Sequence, residues 1–246
     1  MDTAKITAMR VGGKKLASIR QELIHFTKSG TSFEEIEAEA QRLIKAAGAK
    51  PSFSTVTGYH WATCITKNAG VCHGIPQGKV VSDGDIITID VGLIWDGYHL
   101  DTSDTVAVGG VPAKTKEFLE VGRRSLAKAI AEAYPGNTVY EISRAMQKVV
   151  ERHGFGCVYQ LTGHEIGTQL HGRPVPCVAQ KSDKRWVLQP GTTLAIEIMY
   201  TMGEPELVLD DDGWTYTTKD GSLSGMFEET VLVGTEWPEI LTTVTA

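Results

Sequence analysis

The chain has 246 residues, enough for one large domain or two small ones and for a substantial buried core in either case. Its 41% hydrophobic and 22% charged residues are those of an ordinary globule, and a net charge of −6 argues against nucleic acid or an anionic membrane as the main partner. No run is long enough to span a bilayer, the N-terminus lacks the apolar core of a secretion signal, and Cys64, Cys72, Cys157 and Cys177 form no CxxC pair, so the expected setting is cytoplasmic with reduced thiols.

Leu16, Ile19, Leu23 and Phe26 recur at helical spacing and predict a helix over about 8–28, closed by Ser29-Gly30. Ser32 and Glu35 form a capping box for a second helix, with Ile36, Leu43 and Ile44 on one face up to Gly48. From Pro51 to Gln77, histidines, aromatics and turn residues mix without helical period, as in short strands and loops that line a pocket. Asp85 to Val108 then reads as a hairpin turning at Asp96-Gly97. A third helix is expected over about 115–133, a break at Pro135-Gly136, and a fourth from the capping box Thr138 and Glu141 to about His153. Thr192 to Tyr200 and Met226 to Val233 are further apolar strands.

The polar outliers lie on those strands. Asp90 sits among Ile86, Ile87, Ile89, Val91 and Leu93, where a carboxylate needs a partner. With a two-residue loop, Gly92 lies opposite Asp101 and Asp90 opposite Ser103, so Asp90 and Asp101 are diagonal neighbours on one face, roughly 7–8 Å apart at the backbone. Asp101, beside Thr102, Ser103 and Asp104, is equally readable as a solvated hairpin acid. Glu197 interrupts one later strand, and Glu228 and Glu229 the other, where alternation turns one inward and its neighbour out. No Arg or Lys lies in these strand cores, so a cation is the natural counter-charge. Three acidic strands with His164 give an oxygen-rich, one-imidazole set suited to a pair of divalent ions such as Mn, Fe or Co, which can activate a shared water. His164-Glu165 does not complete HExxH, because position 168 is Thr, and no GxSxG is present. Isolated His25, His99 and His153 read as surface or structural residues.

The halves also overlay. Ser32, Glu35, Ile36, Leu43, Ile44 and Gly48 fall on Thr138, Glu141, Ile142, Val149, Val150 and Gly154 at an offset of 106, and Gly84 and Asp90 fall on Gly191 and Glu197 at 107. The expectation is an α+β fold: one domain over 1–246 with internal halves roughly 8–110 and 113–235 facing each other across a shared site.

The segments Cys72-His73-Gly74-Ile75-Pro76, Ile89-Asp90-Val91, Asp96 to Thr102, Gly163-His164, Leu170-His171, Ala195-Ile196-Glu197 and Phe227 to Thr230 resemble type I methionine aminopeptidases, of the pita-bread metallopeptidase superfamily. The resemblance covers nearly the whole chain and implies the pita-bread fold, a duplicated α+β unit with a curved antiparallel sheet covered by helices. It further implies that Asp90, Asp101, His164, Glu197 and Glu228 hold two divalent ions (Co, Mn, Fe or Zn), with Asp101 and Glu228 bridging. Glu197 resembles the ligand that also takes a proton from the attacking water, and His73 and His171 the outer histidines that contact the scissile amide. Tyr59, Cys64 and Trp214 match positions of a methionine side-chain pocket, for which Tyr59 and Trp214 have ordinary core packing as the plain alternative. Asn68 and Ser224 match loop positions around a monovalent cation. The implied substrate is the N-terminal peptide of nascent proteins with a small second residue, with the ribosome as a candidate neighbour and a monomer as the expected state. The chain departs from the family pattern at Ile198, where IEPM is common, at Glu229, where EHT is common, at Glu165, and in a shorter loop between Tyr59 and Cys64. The rival readings are an Xaa-Pro peptidase of the same fold and a binding module that has lost catalysis.

Overall fold

Asp2 starts the first helix: its carboxylate accepts from the amides of Ala4 and Lys5, so α1 (Thr3–Phe26) begins earlier than its apolar spacing predicts. The computed structural model describes residues 2–244. After α2 (Phe33–Ala46), entered through the expected Ser32–Glu35 capping box, come β1 (Lys50–Pro51), a 3₁₀ turn at Phe53–Thr55, β2 (Thr63–Lys67) and β3 (Gly70–Cys72). Then follows the hairpin β4 (Ile86–Trp95) and β5 (Tyr98–Ala107). Asp96 and Gly97 both take positive φ, 50° and 82°, the geometry that matches a tight turn to the strand twist.

The second run repeats the plan with α3 (Ala113–Ala131) and α4 (Val139–Arg152), the latter through the Thr138–Glu141 capping box. Its strands are β6 (Gly156–Cys157), β7 (Thr162–Glu165), β8 (Pro174–Pro176), β9 (Thr193–Thr201), β10 (Leu207–Leu209), β11 (Tyr216–Thr218), β12 (Ser224–Val233) and β13 (Pro238–Ile240). The main sheet runs β1-β4-β5-β12-β9-β7-β8, with β2 beside β4, β6 beside β9 and β13 beside β12, and every pairing in it is antiparallel. β10, β11 and β3 form a small separate sheet.

Strand alternation decides what faces the helices. Ile87, Ile89, Val91 and Leu93 of β4 join a core with Leu16, Leu23, Phe33 and Ile44 of α1 and α2. Ile196, Ile198 and Tyr200 of β9 join a second core with Phe118, Met146 and Val150 of α3 and α4. Gly122 lets α3 lie directly on that sheet, since a Cβ there would come within 2.3 Å of the Phe227 ring. With both helical layers on one side, the alternate residues, among them Asp90 and Glu197, are left to the other face. All four cysteines are buried and free, as expected. Among the described residues no helix is long and apolar enough to cross a membrane.

Candidate metal centre

One row of directly opposed residues crosses the middle of the sheet. Cys64 faces Asp90, Asp90 faces Ser103, Ser103 faces Glu228, and Glu228 faces Glu197. Directly opposed residues share a face, so this register alone aligns three carboxylates. Asp101 lies two positions along from Ser103, opposite Gly92 as the two-residue loop predicts. His164 of β7 lies opposite Ala195, two positions from Glu197, and so joins the same face. One ligand atom each of Asp101, His164 and Glu228 lies within 4.8 Å of the others. The alternative of a solvated Asp101 fails, because its side chain is only 6% exposed.

The environment disfavours the charges these groups would carry alone. Burial, then Asp101 and Glu197, push the Asp90 carboxyl well above its ordinary range. Burial and Asp101 do the same to Glu197, and burial with the neighbouring acids to Glu228. Asp101 is pushed up to about 7, chiefly by burial. Asp90 Oδ1 and Asp101 Oδ1 are buried with no hydrogen-bond partner. Burial pushes His164 down to about 4, so its ring is a neutral donor. Its Nδ1 faces the Glu165 carbonyl at 3.2 Å, which can only accept; the proton therefore sits on Nδ1, and Nε2 presents its lone pair 3.9 Å from Asp101 Oδ2. Orphaned carboxylate oxygens, an oxygen-rich set and one correctly oriented imidazole fit divalent cations, which would remove the mutual repulsion that protons otherwise suppress.

A cavity of about 310 Å³ opens above the row. His73 and His171 stand at its edge, the His171 ring 4.7 Å from that of His164. Burial lowers the basicity of both, and His171 lowers His73 further. His73 also holds a left-handed backbone, φ 55°, unusual for a residue with a Cβ and a mark of a functional position. Tyr59 and Trp214 meet edge to face at 5.1 Å and, with Cys64, form an apolar wall. Tyr59 OH donates to the Thr63 carbonyl at 2.7 Å.

Asn68 and Ser224 lie outside the cavity lining but beside each other: the Asn68 carbonyl accepts from Ser224 N at 2.8 Å, and Ser224 Oγ donates to Gly70 O at 2.6 Å.

Sequence reasoning missed several participants. Phe53 lines the cavity from the 3₁₀ turn, and Gly92 makes room for it, since a Cβ there would lie 2.7 Å from the Phe53 ring. Met199 completes the floor, legible as the residue two beyond Glu197 on the same face. His99, read as surface or structural, takes the structural role outside the cavity lining: it is buried, with Nδ1 2.7 Å from Ser52 Oγ. Glu37 of α2 is buried and accepts from Ala62 N, Thr63 N and Thr63 Oγ1 at 2.8, 3.0 and 2.6 Å, pinning the segment that precedes Cys64. Nothing in the sequence near Glu37 signals this contact.

A hydrolytic centre built on divalent metal ions is the class of site that this donor set and cavity define. The chain belongs to metallopeptidase family M24, whose model matches residues 7–235. It is 38% identical over 236 residues to methionine aminopeptidase 1 of Bacillus subtilis, covering 96% of this chain and 95% of that one. To the methionine aminopeptidase of Escherichia coli it is 37% identical over 241 residues, covering 96% and 90%. The crystal structure of methionine aminopeptidase from Thermotoga maritima superposes with a TM-score of 0.95 at 35% identity, covering 99% of this chain and 98% of that one. A prolidase from Pyrococcus horikoshii shares the fold, with a TM-score of 0.80 at 22% identity and 63% of its length covered. The fold is therefore the expected pita-bread arrangement.

Proposed function

We infer that the chain is a metal-dependent methionine aminopeptidase that removes the first residue of nascent proteins whose second residue is small. The observation that carries this reading is the row of buried acids beneath an apolar, aromatic cavity, in a chain similar over nearly its whole length to enzymes of that name.

In this reading Asp90, Asp101, His164, Glu197 and Glu228 would hold two divalent ions, with Asp101 and Glu228 as the acids that would serve both. When bound, such ions supply Lewis acidity, polarising a carbonyl oxygen and acidifying a nearby water. Glu197 accepts the proton of the attacking water, its carboxyl lying inside the cavity on the strand position opposite Glu228. His73 and His171, kept neutral by burial, contact the scissile amide, and one of them relays to the departing amine the proton that Glu197 took from the water. Tyr59, Trp214, Cys64 and Phe53 enclose the thioether side chain, which gains from aromatic contact. Asn68 and Ser224 form the loop junction for a monovalent cation. The chain acts as one catalytic domain with halves at roughly 8–110 and 113–235, as a cytoplasmic monomer using Mn, Fe, Co or Zn, near the ribosome where its substrates emerge.

The test is release of the first residue from Met-Ala-Ser, Met-Lys-Ser and Ala-Pro-Ser by chelator-stripped protein with divalent metal restored. Cleavage of Met-Ala-Ser alone is expected. Cleavage of Ala-Pro-Ser would move the chain to Xaa-Pro chemistry, and silence on all three with metal bound would make it a binding module.

A further inference from the structure

Asp101 and Glu228 stand on strands joined in an unusual way. The backbone register of β5 and β12 places Glu228 opposite Ser103, and on either side of that pair threonine hydroxyls bridge the facing main chains. Thr105 Oγ1 donates to Met226 O at 2.8 Å and accepts from Met226 N at 2.9 Å. Thr230 Oγ1 accepts from Asp101 N at 3.0 Å and donates to Asp101 O at 2.7 Å. Thr102 Oγ1 donates to Glu228 O at 2.9 Å. A hydroxyl inserted between strands satisfies the backbone as a ladder bond does, but the strand spacing then depends on side-chain position.

On the helix-covered face that seam is clamped. Arg20 of α1 donates to Glu229 Oε1 at 2.9 Å, to Thr102 Oγ1, and at 3.4 Å to the carbonyls of Glu228 and Thr242. Glu229 also accepts from Thr242 Oγ1, which itself accepts from Thr230 N at 2.9 Å. The two charged side chains are 14% and 15% exposed, so their pairing is little screened by solvent. The main-chain groups of Asp101 and Glu228 are thus both end points of one polar network whose charged side chains, among the described residues, are Arg20 and Glu229. Arg20 supplies the charge that matches Glu229.

We propose that Arg20 and Glu229 are positioning residues that fix the β5/β12 seam, and through it the placement of the Asp101 and Glu228 carboxylates relative to one another. This rests on the reading of those two acids as ligands shared by a pair of ions. Neither Arg20 nor Glu229 reaches the cavity; their effect passes through Thr102 and the Glu228 carbonyl.

The experiment is calorimetric titration of Mn²⁺ into chelator-stripped wild type, R20M, E229Q, T102V and T102S, with the Tm of each stripped protein measured alongside. Wild type is expected to take two ions per chain. R20M, E229Q and T102V are expected to weaken the second ion by about tenfold or more, the size of effect that supporting partners have on metal ligands, while T102S keeps the hydroxyl and restores wild-type binding. Variants that lower Tm yet bind both ions as wild type does would reduce the network to an anchor for α1 and overturn the proposal. Should R20M or E229Q not fold, the near-isosteric T102V against T102S decides alone, and equal titrations in that pair overturn it too. A wild type that takes fewer than two ions would instead sink the ligand assignment, and this inference with it.

Discussion

Glu197 projects from the centre of β9 directly opposite Glu228, with a carboxyl that burial and Asp101 hold well above the usual range. In the proposed chemistry it is both ligand and proton acceptor, and the two roles separate on substitution. Glu197→Gln keeps the shape and an oxygen donor but cannot take a proton, so the protein is expected to keep its fold while turnover falls by about 10²–10⁴, the usual range for a positioned base. Substantial residual turnover, measured with metal saturating, would refute that role. His171→Ala is expected to lower kcat while the bound-metal count stays that of wild type, because the His171 ring meets that of His164 edge to face without entering the close ligand group. Loss of metal would mean that His171 is a ligand. Asp90 and Glu197 were legible in the sequence as acids inside apolar strands, a pattern that burial penalises unless something compensates, and Glu228 as one of a pair of which alternation buries one; Asp101, among Thr102, Ser103 and Asp104, was equally readable as a solvated hairpin acid until the register put it on the buried face. Arg20 was not legible, because the partner of Glu229 comes from a helix more than two hundred residues earlier and only the fold brings them together.

At the scale of elements, the helices and the central hairpin were the most readable parts, for identifiable reasons. Ser32–Glu35 and Thr138–Glu141 are capping boxes in the sequence and in the structure, and Asp96-Gly97 fixed the hairpin register that puts Asp101 opposite Gly92. The start of α1 was misplaced because its first turn is set by the Asp2 cap, outside the apolar repeat. The segment from Pro51 to Cys72 carries no such local signal; its course is set by distant contacts, above all Glu37 on Ala62 and Thr63. Glu37→Ala leaves buried donors unpaired and is expected to lower stability by about 3 kcal/mol. It should also raise KM for Met-Ala-Ser more than it lowers kcat, since the affected segment runs into the Cys64 wall. A KM unchanged from wild type would show that the wall holds its shape without this contact.

For the whole molecule, metal and fold are linked through protons. In the metal-free state the Asp101 carboxyl is pushed up from 3.8 to about 7. Below the lower value both folded and unfolded chains hold the proton; between the two values only the folded chain does, so this contribution to stability fades as pH rises and is gone above about 7. Bound cations hold the carboxylates ionised, and proton competition weakens with rising pH. The gap in Tm between metal-loaded and stripped protein is therefore expected to widen steadily from pH 5 to 7.5. A gap that is constant or narrows would contradict the electrostatic account of the buried row.

Metal occupancy and peptide cleavage should rise together. Stripped protein should be titrated with Mn²⁺ while ions bound per chain and methionine released from Met-Ala-Ser are followed in the same samples. The predicted result is negligible release without metal and a rate that rises as the buried acids fill. Full turnover in the stripped protein, or stoichiometric binding with no release, would contradict it.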